Sequence, residues 1–221
     1  MSSRLVEVAP ERLPGWVERF TASHGPVVLT AATERLVLAG DDGEVADLEV
    51  PWPPLVLPGG GSTAEAVVAL ADHAARPRTA LLVLVRRGGW AVGLARAGEV
   101  LDGLGGTRYV QSRTAAGGWS QQRYARRRAN QADGLVDAAA GGLARVLLRG
   151  PRPDVVVPGG DRQLVADVLG ALSAELTVEL RAAVADLPRG PLLDVADPRR
   201  RVLDDAAARA RCVRVRVGTP G

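Results

Sequence analysis

The sequence predicts a mixed β-sheet packed by helices, an α/β or α+β layered fold. Three observations predict it. Hydrophobic residues make up 47% of the 221-residue chain, enough for a substantial core. Only 3% of residues are aromatic, so Val, Leu and Ala must fill that core. Short apolar runs also interchange with stretches of helical apolar spacing from one end of the chain to the other, the sign of strands and helices sharing layers.

The elements follow in order. Residues 10 to 22 place Leu13, Trp16, Val17 and Phe20 on one side of an amphipathic helix. "PVVLTAAT" and "RLVLAGDDG" read as two strands, the second closed by an Asp-Asp-Gly turn. The prolines of "VPWPPLVLPGGGS" exclude helix and predict an extended loop. "STAEAVVALADHAA" is a helix, with Ser62 and Glu65 at capping-box spacing. Three strands come next: "TALLVLV", "WAVGLARAG" and "TRYVQSR". An "RRGG" turn joins the first two and a glycine-rich connection the last two, and short loops favour antiparallel neighbours. A long helix spans about Ser120 to Leu148, with Ala125, Ala129, Ala132, Val136, Leu143 and Val146 as its apolar stripe. "DVVVPGG" is a short buried strand and "DRQLVADVLGALSA" a helix, while "LTVELRAAVADL" begins as a strand. "PRRRVLDDAAARAR" is a short helix and "CVRVRV" an alternating last strand. The one seam lies at Arg76 to Arg78. It divides an N-terminal extension, residues 1–77, expected to pack on the core, from a main domain of residues 78–221.

Several function classes fall away. Apolar runs such as "ALLVLV" are far below the roughly 20 residues that span a bilayer. "MSSRLVEVAP" has no apolar signal core. The expected location is the cytoplasm, with no membrane contact. One cysteine, Cys212, and two separated histidines, His24 and His73, cannot supply the four ligands of a structural zinc site. No metal or other cofactor is expected. "LPGGGST" resembles a phosphate loop but lacks the lysine such a loop needs, so a loop and helix cap is the better reading. In "VVVPGGDRQ" the backbone could hold an anion, but Asp161 at the helix start competes by capping the N–H groups itself. Adjacent Asp204 and Asp205 point to different sides of a helix and are no acid/base pair. Ordinary surface roles are expected for both histidines, and nothing near Cys212 in sequence activates its thiol.

The charge is informative where it concentrates. All 28 basic residues are arginine, and the net charge is only +3. Between residues 107 and 152, however, Arg108, Arg113, Arg123, Arg126, Arg127, Arg128, Arg145, Arg149 and Arg152 face only Asp133 and Asp137. That is an excess of seven positive charges. Arg123 and Arg127 share a helix face, as do Arg126 and Asn130. Such a stretch fits a phosphate backbone, because the acids that intersperse a merely solvated face are missing. The same stretch holds Gly117 and Gly118 in a slim loop that can enter a narrow space. Trp119 either anchors that loop or stacks on a base. Ser120 is a good helix cap, and Gln121 and Gln122 offer uncharged amide donors and acceptors at the junction.

A glycine-glycine loop carrying a glutamine resembles the loop of class I translation release factors, which hydrolyse the ester between peptide and tRNA. The longer pattern "RRGGWAVGLARAGEV…GGTRYVQSRTAAGGWSQQRYARRRANQ" resembles the Vms-like release factor family, and within it an actinobacterial branch described as peptidyl-tRNA hydrolases. The family is related to the middle domain of eukaryotic and archaeal release factors. The resemblance covers roughly residues 78 to 217. It implies a release-factor middle-domain-like fold and a peptidyl-tRNA hydrolase that acts in ribosome rescue or quality control. It implies a catalytic loop of Gly117 and Gly118 with Gln121 as its glutamine, or Gln122 in its place, since Trp119 and Ser120 stand between the glycines and the glutamines here. Arg113, Trp119, Arg123, Arg126, Arg127 and Arg128 would then meet RNA. Peptidyl-tRNA and the ribosome, the large subunit in particular, are the implied partners. Two other readings stay open on the residues alone. A non-catalytic RNA- or ribosome-binding module needs only the arginines. A metal-dependent nuclease needs converging carboxylates, and the basic segment supplies only Asp133 and Asp137.

Overall fold

The computed structural model describes residues 3–57, 59–107, 120–172 and 176–219, with side chains described for all of these except 120–132. In chain order the strands are β1 (Arg4–Val8), β2 (Val27–Ala31), β3 (Arg35–Gly40), β4 (Val45–Glu49), β5 (Thr79–Arg86), β6 (Gly89–Arg96), β7 (Glu99–Thr107), β8 (Val155–Gly160) and β9 (Val213–Gly218). The helices are α1 (Leu13–His24), α2 (Thr63–Ala75), α3 (Ser120–Arg149), α4 (Arg162–Ala171), α5 (Val178–Ala185) and α6 (Arg200–Arg209). They form two sheets in two units, a mixed α+β fold.

The first unit is Met1–Pro77 together with Ala208–Gly221. Its sheet is antiparallel, in the order β1-β9-β4-β3-β2. Period-two alternation puts Leu36, Leu38, Ala46, Leu48, Val213 and Val215 on one face, all fully buried with Leu13, Val17 and Phe20 of α1 and Val67 and Leu70 of α2. The opposite face carries charge: Glu49 meets Arg216 at 3.1 Å and Arg214 at 3.5 Å, and Arg35 meets Asp47 at 3.6 Å. Helix α2 opens on a complete capping box, in which the Glu65 backbone N–H donates to Ser62 Oγ at 3.3 Å and the Ser62 N–H donates to Glu65 Oε2 at 2.6 Å. Two strands of this sheet, β1 and β4, are absent from the sequence reading. Residues 208–221, expected in the main domain, instead belong to this first unit, because β9 lies between β1 and β4.

The second unit is Arg78–Ala207. Its sheet runs β7-β6-β5-β8, antiparallel except for the parallel pair β5 and β8. Central β5 is buried along nearly its whole length, which explains why "TALLVLV" reads as a continuous apolar run rather than an alternating one. On one face Leu81, Val83, Val85, Trp90, Val92 and Leu94 share a core with α3, α4 and Val184 of α5. On the other, Leu203 of α6 comes against Gly93 and Gly103. The free edge of β8 is occupied by the chain at 188–193: the N–H groups of Val156 and Leu193 donate to the carbonyls of Pro188 and Pro158, both at 2.9 Å.

Two expectations are corrected in this unit. The glycine-rich connection is itself strand β7, ending at Thr107, and the remainder of "TRYVQSR" lies outside the described residues. The stretch "LTVELRAAVADL" does not begin as a strand. Thr177 caps a helix by accepting from the Leu180 N–H at 3.3 Å, and five residues of alternation are outweighed by the helix-forming run that follows.

Candidate functional site

The predicted site residues divide at Ser120, the first residue of α3. By its bounds, Gln121, Gln122, Arg123, Arg126, Arg127 and Arg128 belong to that helix, and their side chains lie outside the described residues. Arg108, Arg113, Gly117, Gly118 and Trp119 lie outside the described residues altogether. What the structure describes is the packing of strands β6 and β7 with the rest of α3.

That platform is built from size complementarity. Trp90 on β6 is buried between two glycines. A Cβ on Gly106 of β7 would lie 3.0 Å from the indole Nε1, and one on Gly142 of α3 would lie 2.6 Å from two ring carbons. Four strand residues further on, a Cβ on Gly150 would collide with Leu94 Cδ1. Eight residues of helix rise about 12 Å and four of strand about 13 Å, so Gly142 over Trp90 and Gly150 over Leu94 keep in step. The helix therefore runs from the Gly89 end of β6 toward its Arg96 end. Thr107 pairs with Gly89 at that same starting end. Strand β7 thus ends, at Thr107, at the same end of the sheet from which α3 runs across its face.

The C-terminal half of α3 holds this arrangement. Leu135, Ala139, Leu143 and Val146 are buried, in keeping with the expected stripe at Leu143 and Val146; Ala125, Ala129 and Ala132 lie outside the described side chains. Arg149 donates to Asp102 of β7 at 2.8 Å, tying the last turn of the helix to the strand and complementing the helix dipole. Arg145 Nε donates to the Gly141 carbonyl at 3.2 Å. Of the nine arginines in the basic stretch, Arg149 thus has a structural partner, while Arg152 is exposed.

The other candidates resolve toward structure. At "LPGGGST" the helix start is satisfied by Ser62 and Glu65, whose carboxyl is held below the usual range by hydrogen bonds from the Ser62 backbone and hydroxyl. At "VVVPGGDRQ" Asp161 Oδ1 accepts from the N–H groups of Gln163 at 3.0 Å and Leu164 at 3.1 Å, so it takes the place of an anion. Gly160 there has φ 91°, and a Cβ would lie against the Val85 carbonyl. His24 pairs with Asp42 at 2.8 Å on the surface. His73 departs from the expected surface role: it is buried, and its Nε2 lies 2.9 Å from the Pro51 carbonyl, holding the proline-rich loop. Burial, then the Glu7 carboxylate, pushes the Cys212 thiol up, the reverse of what a nucleophile needs. Asp204 pairs with Arg200 along one helix at 2.8 Å. Asp133 and Asp137 are exposed, and no group of His, Cys, Asp or Glu among the described residues could hold a metal ion. Nor is any helix among them long and apolar enough to cross a membrane.

The glycines at 106 and 142 were not singled out from sequence. The signal at Gly142 is that a glycine inside a helix costs about 1 kcal/mol against alanine and calls for a packing reason, and at Gly106 that a glycine inside a strand marks close approach.

A comparison with protein families matches residues 78–216 to the Actinobacteria/chloroflexi VLRF1 release factor family. The chain belongs to this family. The match takes in the whole second unit, with Trp90, Gly142 and the α3 platform, and runs on into β9. It begins at Arg78, the residue at which the second unit begins. No curated protein matches the chain. Membership of the VLRF1 release factor family gives the chain a function in translation at the ribosome.

Proposed function

We propose that this VLRF1 release factor is a peptidyl-tRNA hydrolase, cleaving the ester between nascent peptide and tRNA in ribosome rescue or quality control. The observation that carries the reading is the Gly117-Gly118-Trp119-Ser120-Gln121 sequence entering a helix in a chain of release-factor family. The reaction belongs to the second unit, and the partners are peptidyl-tRNA and the large ribosomal subunit, in the cytoplasm. An aminoacyl ester is already activated, so its hydrolysis needs a placed water more than a strong base. Gln121, with Gln122 as the alternative, orients that water through its amide. A backbone N–H of the glycine loop stabilises the oxyanion of the tetrahedral intermediate. Water adds to the ester carbonyl, the bond to the ribose oxygen breaks, and the proton passes to that oxygen by way of the neighbouring ribose hydroxyl. The products are a free peptide carboxylate and deacylated tRNA. Arg113, Arg123, Arg126, Arg127 and Arg128, with Trp119 stacking, hold the acceptor end.

The test is peptide release from purified peptidyl-tRNA, free and bound to the large subunit. Wild type should release peptide. Gln121→Ala should lower release by at least about a hundredfold, the scale of losing one positioned transition-state group, while RNA binding persists. Release unchanged in the Gln121→Ala, Gln122→Ala double variant sinks the mechanism. Binding without release by wild type favours an RNA-binding module, the reading that the arginine excess alone supports.

A further inference from the structure

At the end of the second sheet where β5 turns into β6, two basic runs meet that lie outside the stretch from 107 to 152. One is Arg86-Arg87 in the turn; the other is Arg199-Arg200-Arg201, which opens α6. The contacts place them together. A Cβ on Gly89 would lie 3.4 Å from the Pro198 carbonyl and 3.7 Å from the Thr107 Cα, and one on Gly88 would lie 4.0 Å from Asp197 Oδ1. The turn, the start of α6 and the last described residue before the glycine loop thus share one corner of the unit.

Part of this charge is already used. Arg86 pairs with Asp194 at 2.6 Å and Arg200 with Asp204 at 2.8 Å. Arg87, Arg199 and Arg201 are exposed and have no ion pair among the described residues. Among the described residues Asp197 lies beside the turn and Asp205 one helical turn from Arg201, two acids against three arginines. The placement also works against α6 itself. Its first turn contains no acidic residue, although a helix N-terminus is stabilised by negative charge and destabilised by positive. Exposed arginines that oppose their own helix and lack partners contribute nothing to folding. They are spread over two elements rather than converging on one point, which suits an extended polyanion better than a single phosphate group.

We infer that Arg87, Arg199 and Arg201 form a second phosphate-contacting patch that grips the RNA backbone beside the root of the glycine loop. The inference rests on the proposed reading that this loop works on an RNA-borne ester. The patch holds the RNA in register while the loop reaches the ester, so it is a binding surface and takes no part in bond breaking.

The experiment measures binding of the full chain, against salt concentration, to free peptidyl-tRNA and to isolated large subunits. The variants are R87A/R199A/R201A and, as a control of equal charge, R4A/R12A/R19A. The patch variant should lower the slope of log affinity against log salt by about 2 to 3, and so reduce the affinity lost between about 50 and 200 mM salt by about 15- to 60-fold. The control should match wild type. The thermal midpoint of the patch variant should hold or rise, since the helix loses unfavourable charge. Loss confined to free tRNA assigns the phosphates to tRNA, and loss confined to subunits assigns them to ribosomal RNA. An unchanged slope with both RNAs overturns the patch, as does an equal loss in the control, a fall in the midpoint, or a wild type that binds neither RNA. Binding by wild type with no peptide release sinks the hydrolase instead, and the slope still judges the patch.

Discussion

At the scale of single residues, the decisive contact is an indole between two missing side chains. A methyl group at residue 142 would gain about 1 kcal/mol of helix propensity. It would also meet two carbons of the buried Trp90 ring at 2.6 Å. Overpacking of this kind typically costs about 1–3 kcal/mol, and a ring wedged on both sides has little room to yield. Gly142→Ala should therefore destabilise the protein by about 1–2 kcal/mol in chemical denaturation. Gly170→Ala supplies the contrast. No atom of the described residues comes within 4 Å of a Cβ there, so the same substitution near the end of α4 should be neutral or stabilise by up to about 1 kcal/mol. If both variants behave alike, propensity rather than packing governs these helices.

At the scale of elements, what was legible in the sequence was what local chemistry determines. Ser62 and Glu65 announce α2 by spacing alone, and Asp161 and Ser120 stand where helices begin. Strand β7 was hidden because its glycines answer to distant partners: Gly103 to Leu203 and Gly106 to Trp90. Strands β1 and β4 were hidden because each is only five residues long, with charges that read as surface until Glu7 meets Arg209 and Glu49 meets Arg216. The candidate site was legible as a motif and a charge excess, but its platform was not, since Trp90 and Gly142 are 52 positions apart in the chain. The capping box carries its own test. Ser62→Ala should cost about 1 kcal/mol at neutral pH. Glu65 has its carboxyl lowered in the folded state by Ser62, so that contribution is fully present above the unfolded carboxylate pKa and is lost as pH falls through the folded one. The gap between wild type and variant should narrow on acidification through that window. A gap that widens there contradicts the assignment.

At the scale of the whole molecule, the first sheet depends on the last strand. β9 sits between β1 and β4, with Val213 and Val215 fully buried, and its register joins Arg4 to Val217 and Val45 to Gly218. Removing residues after 212 would leave β1 with no neighbour and split the sheet. Amides of residues 4–49 should then lose protection in hydrogen exchange, while those of β5, β6 and β8 keep theirs. Equal protection in both sets would mean that β9 is dispensable.

This closure also orders the protein's own birth. Synthesis from the N-terminus normally lets the first segment fold first. Here residues 78–207 can complete their sheet while the opening strands still wait for a partner that is translated after it. The amino-terminal part of this release factor becomes native only after the middle of the chain, once β9 has cleared the exit tunnel of the ribosome that made it.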